Sequence, residues 1–242
     1  MKLRFGYVSR NLTMPTVRPT ILRTFTTIAG AALLYGCASS PSKTEEAAAP
    51  ASPLSGMAGR QLLVFPAQYL SLGNPGGGYD IVPAGPALLP ILDEEIADTF
   101  HKRGVKSNWT FGRAITEAAV RNGGLAGDPR QLSVQGIRRV KAGDTPLPEP
   151  LASEVRNLVA LTGARYALLP LEVHMDVKGN ERRSSVRFLL IDARTARVSW
   201  SDDVEAAPTH DSQIASDAFT PYGFRILARE IASKLADMVV AQ

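Results

Sequence analysis

The sequence contains very little cysteine and histidine. Cys37 is the only cysteine in 242 residues, so no disulfide can form within the chain, and we expect a fold without covalent cross-links. Of the three histidines, neither His101 nor His210 has another histidine or a cysteine at the spacing of a zinc site. The composition therefore argues against a disulfide framework and against a Cys/His zinc site.

The sequence also lacks a long apolar segment near its N-terminus. The uncharged stretch between Arg23 and Cys37 is thirteen residues long. A helix needs about 20 residues to cross a hydrocarbon core of roughly 30 Å. The length of this stretch, behind basic residues, is typical of the hydrophobic region of a secretory signal peptide. We therefore expect export of the protein and not a spanning helix.

Basic clusters are missing from most of the chain, although its formal net charge is +4. Residues 1–36 hold five basic residues and no acid, which leaves 22 basic and 23 acidic residues in the remainder. A nearly neutral body without a block of Lys and Arg offers no electrostatic footprint for a polyanion. We therefore expect no nucleic-acid partner.

The residues just before the single cysteine form a recognisable pattern. Leu34-Tyr35-Gly36-Cys37 resembles the bacterial lipobox, with Leu at −3, a small residue at −1 and Cys at +1. The resemblance implies cleavage between Gly36 and Cys37, lipidation of Cys37 and a membrane anchor. Ala38 stands where many lipoproteins of the inner membrane have Asp, which implies the periplasmic face of the outer membrane. The alternative, a buried free cysteine, is disfavoured by the polar, Pro-rich sequence that follows.

These features divide the chain into three expected parts. Residues 1–36 are the signal peptide, and translation from Met14 would leave a more compact leader. Residues 37–59 are the lipidated cysteine and an Ala/Ser/Pro-rich tether, because they contain no aromatic side chain around which a core could form. Residues 60–242 are a single periplasmic domain.

The apolar periodicity and the turn residues of this domain predict an α+β fold. Helices are predicted after Pro86, over 113–121, from Pro150 to Gly163 and over 224–240. Strands are predicted over 61–66, 107–112, 165–177, 184–191 and 197–205, with a loop at 71–80 and an irregular excursion at 122–150 that includes a strand at 132–137. The simplest packing is a mostly antiparallel sheet with helices mainly on one side.

The same region resembles a group of periplasmic α/β domains. The resemblance lies in LLVFP at 62–66, GARYALLPLEV at 163–173 and VRFLLIDARTARVSW at 186–200. The group includes the amino-terminal domain of TolB, the curli-export lipoproteins and the lipoproteins that activate penicillin-binding proteins. It implies an α/β sandwich like that of anticodon-binding domains. Ala196 stands where the group usually has Gly, at a hairpin position that favours positive φ.

Three chemically versatile residues alternate along the longest predicted strand. Period-two spacing places Glu172, His174 and Asp176 on one face. Such a trio has the residue types that bind a metal or transfer protons. A hairpin with a Gly-Asn loop at 179–180 gives a different interpretation. It pairs Asp176 with Arg183, His174 with Ser185 and Glu172 with Arg187 on this face, and Val173 with Val186 and Leu171 with Phe188 on the core face. The opposed charges favour a salt-bridged outer face.

Together these observations predict a membrane-anchored periplasmic lipoprotein that acts as an interaction or assembly module in the cell envelope, with no catalysis and no cofactor. Its partners are expected to be the membrane, through the N-terminal lipid, and an envelope protein or a sibling subunit. The expected contact surfaces are sheet edges, the 122–150 excursion and residues 73–80, whose glycines lack the Gly-Lys-Ser/Thr of a phosphate loop. The alternative is a periplasmic hydrolase or metal-binding protein that uses Glu172, His174 and Asp176.

Overall fold

The computed structural model describes most of the chain that follows the expected tether. The described residues are 54–73, 79–80, 85–104, 108–140, 143, 145–178, 181–208 and 220–240, and they belong to the unit Ala47–Gln242. Gly36 and Cys37 lie outside them, so cleavage and lipidation stay predictions. Among the helices of the described residues, none is long and apolar enough to cross a membrane.

The described residues form eight strands and four α-helices. The strands are β1 (Leu62–Val64), β2 (Tyr69–Gly73), β3 (Tyr79–Asp80), β4 (Trp109–Phe111), β5 (Thr145–Pro146), β6 (Tyr166–Lys178), β7 (Glu181–Asp192) and β8 (Arg197–Glu205). The helices are α1 (Gly85–Lys102), α2 (Gly112–Arg121), α3 (Leu151–Thr162) and α4 (Pro221–Val240), with 3-10 turns at Ser55–Met57 and Val134–Ile137.

All the strands belong to one sheet built around the long strand β6. On one side, the first part of β6 pairs in parallel with β1, which pairs with β4, while its second part pairs in parallel with β2, which continues to β3. On the other side, β7, β8 and β5 follow in antiparallel order. The predicted α+β class with a mostly antiparallel sheet is confirmed.

The helices cover both faces of the sheet, whereas the sequence led us to expect them mainly on one side. One hydrophobic core lies between the sheet and helices α1 and α4, and a second lies between the sheet and helices α2 and α3. β1 shows the reason, because Leu62 and Val64 enter the first core while Leu63 and Phe65 enter the second. A strand that is apolar at every position is buried on both faces.

The hairpin of β6 and β7 follows the predicted register up to a bulge. Val173 faces Val186, and the expected neighbours on the other face are confirmed. The predicted pair of Leu171 with Phe188 is wrong, because Pro170 faces Phe188 and Leu171 is the additional residue of a β-bulge. Leu171 therefore lies in the second core, and Val173 lies in the first.

Two other local predictions are corrected. The predicted loop at 71–80 contains the end of β2 and the whole of β3, since β2 is held as a strand by pairing with β6, a distant part of the sequence. The predicted strand at 132–137 is instead the 3-10 turn Val134–Ile137. Leu132, Val134 and Ile137 are apolar because they fill the second core.

The folded part begins before the expected boundary at residue 60. Leu54 and Met57 are buried in the first core. The indole Nε1 of Trp109 donates a hydrogen bond to the Met57 carbonyl (3.2 Å), and the Asn108 side chain donates one to the Gly59 carbonyl (3.2 Å). The chain therefore enters the domain directly beside β4.

The hairpin between β7 and β8 has an alanine in the positive-φ conformation that glycine usually adopts. Ala196 has a φ of +52° and is the only non-glycine residue with positive φ among the described residues. Alanine adopts this left-handed region at an energetic cost. The Ala196 side chain is buried in the second core, and its carbonyl accepts a hydrogen bond from the Leu147 amide (2.9 Å).

Candidate functional site

The polar part of the central sheet is organised around one buried carboxylate. Glu172 on β6 is only 4% exposed. It accepts hydrogen bonds from the Ser71 hydroxyl on β2 and from the Arg138 guanidinium, whose Nε lies 3.2 Å from Oε2. A buried charge is tolerated when it is paired and hydrogen-bonded in this way.

Arg138 directly follows the 3-10 turn Val134–Ile137. Both its guanidinium group and its main-chain carbonyl make contacts that fix its position. Its guanidinium lies over the ring of Tyr69, 5.5 Å from the centroid, while its carbonyl accepts a hydrogen bond from Arg187 Nη1 (3.0 Å). Arg187 in turn forms a two-pronged ion pair with Asp203 on β8, at 2.7 and 2.9 Å. We call Ser71, Arg138, Glu172, Arg187 and Asp203 the polar network.

The carboxylates of the polar network are stabilised in their ionised form. Burial raises the pKa of Glu172, but the hydrogen bonds from Arg138 and Ser71 outweigh it and leave that pKa below its ordinary value. The hydrogen bonds from Arg187 likewise lower the pKa of Asp203. Both groups are therefore charged at neutral pH, Glu172 in an ion pair between β6 and the excursion and Asp203 in one between β8 and β7.

The structure separates the roles of the three residues expected to share a face. Glu172 belongs to the polar network. His174 places Nε2 3.7 Å from Glu172 Oε2. Asp176 lies against Gly73, where a Cβ would come within 2.9 Å of the Asp176 carboxyl carbon. Within the described part of the chain, no group of three His, Cys, Asp or Glu side chains is arranged to hold a metal ion.

The ion-pair partner of Glu172 differs from the one suggested by the hairpin. Arg187 is its cross-strand neighbour as predicted, yet the hydrogen-bonded partner is Arg138. Sequence reasoning missed Arg138 because the residue lies in the irregular excursion, 34 positions away from Glu172. A cleft of about 490 Å³ lies beyond the network, lined by His174, Asp176, Arg183, Ser185, Arg187 and Glu205 among others.

A larger groove of about 920 Å³ lies between α1 and α2, with β4 at its base. We call it the α1–α2 groove. Trp109 and Phe111 form its aromatic floor, and Phe100 stacks on Trp109 beneath them with ring centroids 4.9 Å apart. Its walls carry the carboxylates of Asp93, Glu94, Asp98 and Glu117 and the guanidinium groups of Arg113 and Arg130.

Asp93 is a carboxylate of the groove whose burial is not fully offset by its hydrogen bonds and its ion pair. Its side chain is 11% exposed, and burial raises its pKa to about 6 despite a hydrogen bond from the Ala67 amide (2.8 Å) and an ion pair with Arg130 (2.9 Å). Asp93 therefore loses its proton near pH 6, in contrast to Glu172. A carboxyl with a raised pKa in a groove is a feature of functional surfaces.

Comparisons with known proteins give structural similarities only. No family model matches the sequence, and no curated protein does either. Among solved structures, the chain is similar to Escherichia coli LpoB (13% identity, 85% of this chain, 94% of that chain, TM-score 0.36) and to lipoprotein GNA1162 from Neisseria meningitidis (14%, 69%, 97%, 0.35). It is also similar to the PelC dodecamer from Paraburkholderia phytofirmans (16%, 76%, 92%, 0.33). Likenesses at this level carry no argument, so we argue function from the residues themselves.

Proposed function

We propose that this protein is a membrane-anchored lipoprotein of the bacterial envelope that acts by binding another envelope component. The observation that carries the proposal is the segment Leu34-Tyr35-Gly36-Cys37 behind an uncharged stretch too short to span a bilayer. A lipid on Cys37 holds the folded domain near a membrane. Ala38 favours the periplasmic face of the outer membrane as the site of attachment.

The arrangement of the polar network supports binding over catalysis. Glu172, the most buried member of the expected trio, is engaged by Ser71 and Arg138, and Arg187 is engaged by Asp203. A general acid or base must present its proton-carrying atom to a substrate. The Glu172 carboxylate instead connects β2, β6 and the excursion, which is a structural task. We therefore propose no enzymatic activity and no cofactor.

The anchor is tested by replacing Cys37 with Ala in the full chain. We expect this variant to move from the membrane fraction to the soluble fraction and to lose the mass of the lipid. The same cells, treated with a crosslinker and analysed by mass spectrometry, should give a crosslinked envelope protein with the natural chain and a weaker one with Cys37→Ala. An unchanged membrane association, or a monomer without any crosslinked protein, would contradict the proposal.

The hydrolase or metal-binding alternative is tested at His174, because His174→Asn leaves the ion pair between Arg138 and Glu172 in place. If binding is the function, we expect the variant to fold and to support normal envelope growth. Loss of that phenotype in a folded variant, or saturable zinc binding at micromolar metal that His174→Asn removes, would favour the alternative.

A further inference from the structure

We propose that the edge of β4 that pairs with no strand among the described residues is a docking edge for an extended, basic segment of a partner protein. The inference rests on the proposed binding function and assigns it a surface and a partner chemistry. Extended peptides bind sheet edges by adding a strand, in which main-chain hydrogen bonds give affinity and flanking pockets give specificity.

The main chain of β4 directs alternate amides toward β1 and away from it. The Leu62 amide of β1 donates to the Asn108 carbonyl (3.0 Å), and the register continues in parallel with Leu63 beside Thr110. In a strand, alternate residues direct their main-chain groups to opposite sides. The amides of Trp109 and Phe111 therefore point away from β1, into the α1–α2 groove.

The edge of β8 beyond β5, by comparison, is closed by side chains. The Ala206 amide donates to the Ser184 carbonyl of β7, so beyond the register shift at Ser199 the main-chain groups of the odd-numbered residues, Ser201 to Glu205, face outward. Three outward groups there have side-chain partners: the Asp203 amide binds Asp202 (2.9 Å), the Glu205 carbonyl accepts from Lys234 (2.8 Å) and the Ala207 amide binds Glu230 (2.6 Å). Natural sheets protect exposed edges with such charged residues.

No corresponding side-chain cap reaches the amides of Trp109 and Phe111 among the described residues. Trp109 donates a hydrogen bond from its indole to the Met57 carbonyl, and this bond does not use its main-chain amide. The edge lies in a groove of about 920 Å³ whose lining includes the rings of Trp109 and Phe111. The geometry is that of an acceptor site for one more strand.

The charge of the groove selects the partner. Four carboxylates line it against two guanidinium groups. Both guanidinium groups are already paired, Arg130 with Asp93 and Arg113 with Glu117. Glu94 and Asp98 supply the remaining negative charge of the lining, and both face α4. There Glu94 lies 3.3 Å from Arg225, and Asp98 interacts electrostatically with Arg229. Complementarity therefore favours a segment with lysine or arginine at alternate positions.

The place where the chain enters the domain agrees with this assignment. Met57 and Gly59 accept hydrogen bonds from the side chains of Trp109 and Asn108, so the described chain ahead of β1 runs beside β4. Residues 38–53 contain one basic residue, Lys43, and two acids, Glu45 and Glu46, and do not match an acidic groove. The occupant is therefore a separate protein, held at the same membrane surface.

The test uses the full chain in detergent, labelled with ¹⁵N, and short blocked peptides as probes. The first peptide alternates Lys and Val, the second has Glu in place of Lys, and the third is the Lys peptide with N-methyl groups along one edge. We expect the Lys peptide to shift the amide signals of Trp109 and Phe111. The Glu and N-methylated peptides should bind about tenfold more weakly, because they lose the charge or the main-chain hydrogen bonds.

Two matched variants locate the effect. Asp98→Lys should weaken binding of the Lys peptide by about threefold to fivefold, the value of an exposed charge pair that becomes a repulsion. Glu205→Lys makes the same charge change at the capped edge and should leave binding unchanged.

Three results would overturn the proposal: no shift at Trp109 or Phe111 with millimolar peptide, equal binding of the N-methylated peptide, or a concentration-dependent dimer that Asp98→Lys dissociates. The last result would identify a second copy as the occupant. None of these outcomes bears on Cys37, so a failure here with successful crosslinking in cells means that the domain docks through another surface.

Discussion

The two edges of the sheet, along β8 and along β4, differ in whether side chains bind their outward main-chain groups. Along β8, side chains of Asp202, Glu230 and Lys234 cap the outward main-chain groups, and nearby carboxylates have lowered pKa values. Beside β4, the edge lacks such caps among the described residues, and Asp93 has a pKa raised to about 6. The difference teaches that an edge is closed or open according to the helix beside it. Here α4 reaches β8 with charged side chains, whereas α1 packs on β4 through the ring of Phe100 and, among the described residues, forms no hydrogen bond with the outward amides of β4.

The strongest test of this comparison removes the central carboxylate of the polar network. Glu172→Ala leaves the Arg138 guanidinium and the Ser71 hydroxyl without their acceptor. Breaking a buried ion pair from one side is strongly destabilising, and Arg138 is partly solvated, so we expect a loss of about 3 kcal/mol in the free energy of unfolding. Urea denaturation measures it. Glu94→Ala, at an exposed carboxylate of α1, is the control and should cost less than about 1 kcal/mol. Similar losses in the two variants would refute the contrast.

The second test follows the free energy of unfolding with pH at Asp93. Because the folded-state pKa of about 6 lies above the ordinary value of 3.8, the contribution of Asp93 to stability is present below pH 3.8 and is lost as the pH rises through 6. The shift corresponds to at most about 3 kcal/mol, and we expect about 2 kcal/mol because the groove admits water.

The matching variant is Asp93→Asn, which cannot ionise. Its free energy of unfolding, relative to the natural chain, should rise by about 2 kcal/mol between pH 4 and pH 7. Glu172 and Asp203 do not obscure the difference, because their lowered pKa values are common to both chains and their contributions cancel. Asp98→Asn on the same helix is the control. Parallel pH curves for the natural chain and Asp93→Asn would show that the carboxyl is solvated in the folded state.

The third test opens the closed edge. The double variant Glu230→Ala/Lys234→Ala removes the caps of the Ala207 amide and the Glu205 carbonyl. We expect a loss of about 1 kcal/mol, since both bonds are exposed, and a concentration-dependent self-association through β8, measured by light scattering. Glu230 and Lys234 also form an i,i+4 ion pair. The control Arg113→Ala/Glu117→Ala removes an ion pair of the same spacing from α2, and its mass by light scattering should remain that of the natural chain. A strictly unchanged mass in both variants would show that the caps do not protect the edge.

The smallest effect is expected in the hairpin at Ala196. Ala196→Gly relieves a left-handed conformation, worth about 1 kcal/mol, but removes a buried methyl group worth about 0.8 kcal/mol. The two contributions nearly cancel, so the free energy of unfolding should change by less than about 0.5 kcal/mol. Thermal and urea denaturation of the two chains measure the change. A larger stabilisation would mean that the methyl group contributes little to the second core.

Local patterns were sufficient for the long elements and insufficient for the contacts between them. The predicted bounds of β8, 197–205, are those of the structure. They could be predicted because the turn before the strand and the alternating apolar pattern within it are local features of the sequence. The register of β6 with β7 followed from the hairpin loop until the bulge at Leu171, which no local signal announces. Arg138 was missed because its role depends on how the excursion folds onto Glu172. The raised pKa of Asp93 depends on burial, which only the packing of α1 against the strands provides.

The bulge at Leu171 changes the parity of β6. Before it, the residues that face α1 and α4 have even numbers, as Leu168 does, and after it they have odd numbers, as Val173 and Met175 do. A regular strand of the same length would turn Glu172, His174 and Asp176 toward an apolar core and Val173 toward the polar side, whereas loss of Leu171 would leave each of these side chains on its present face. The two parts of β6 therefore have opposite alternation and meet at Leu171. An alignment of this chain with a relative must place Leu171 correctly before it assigns a side chain to a face.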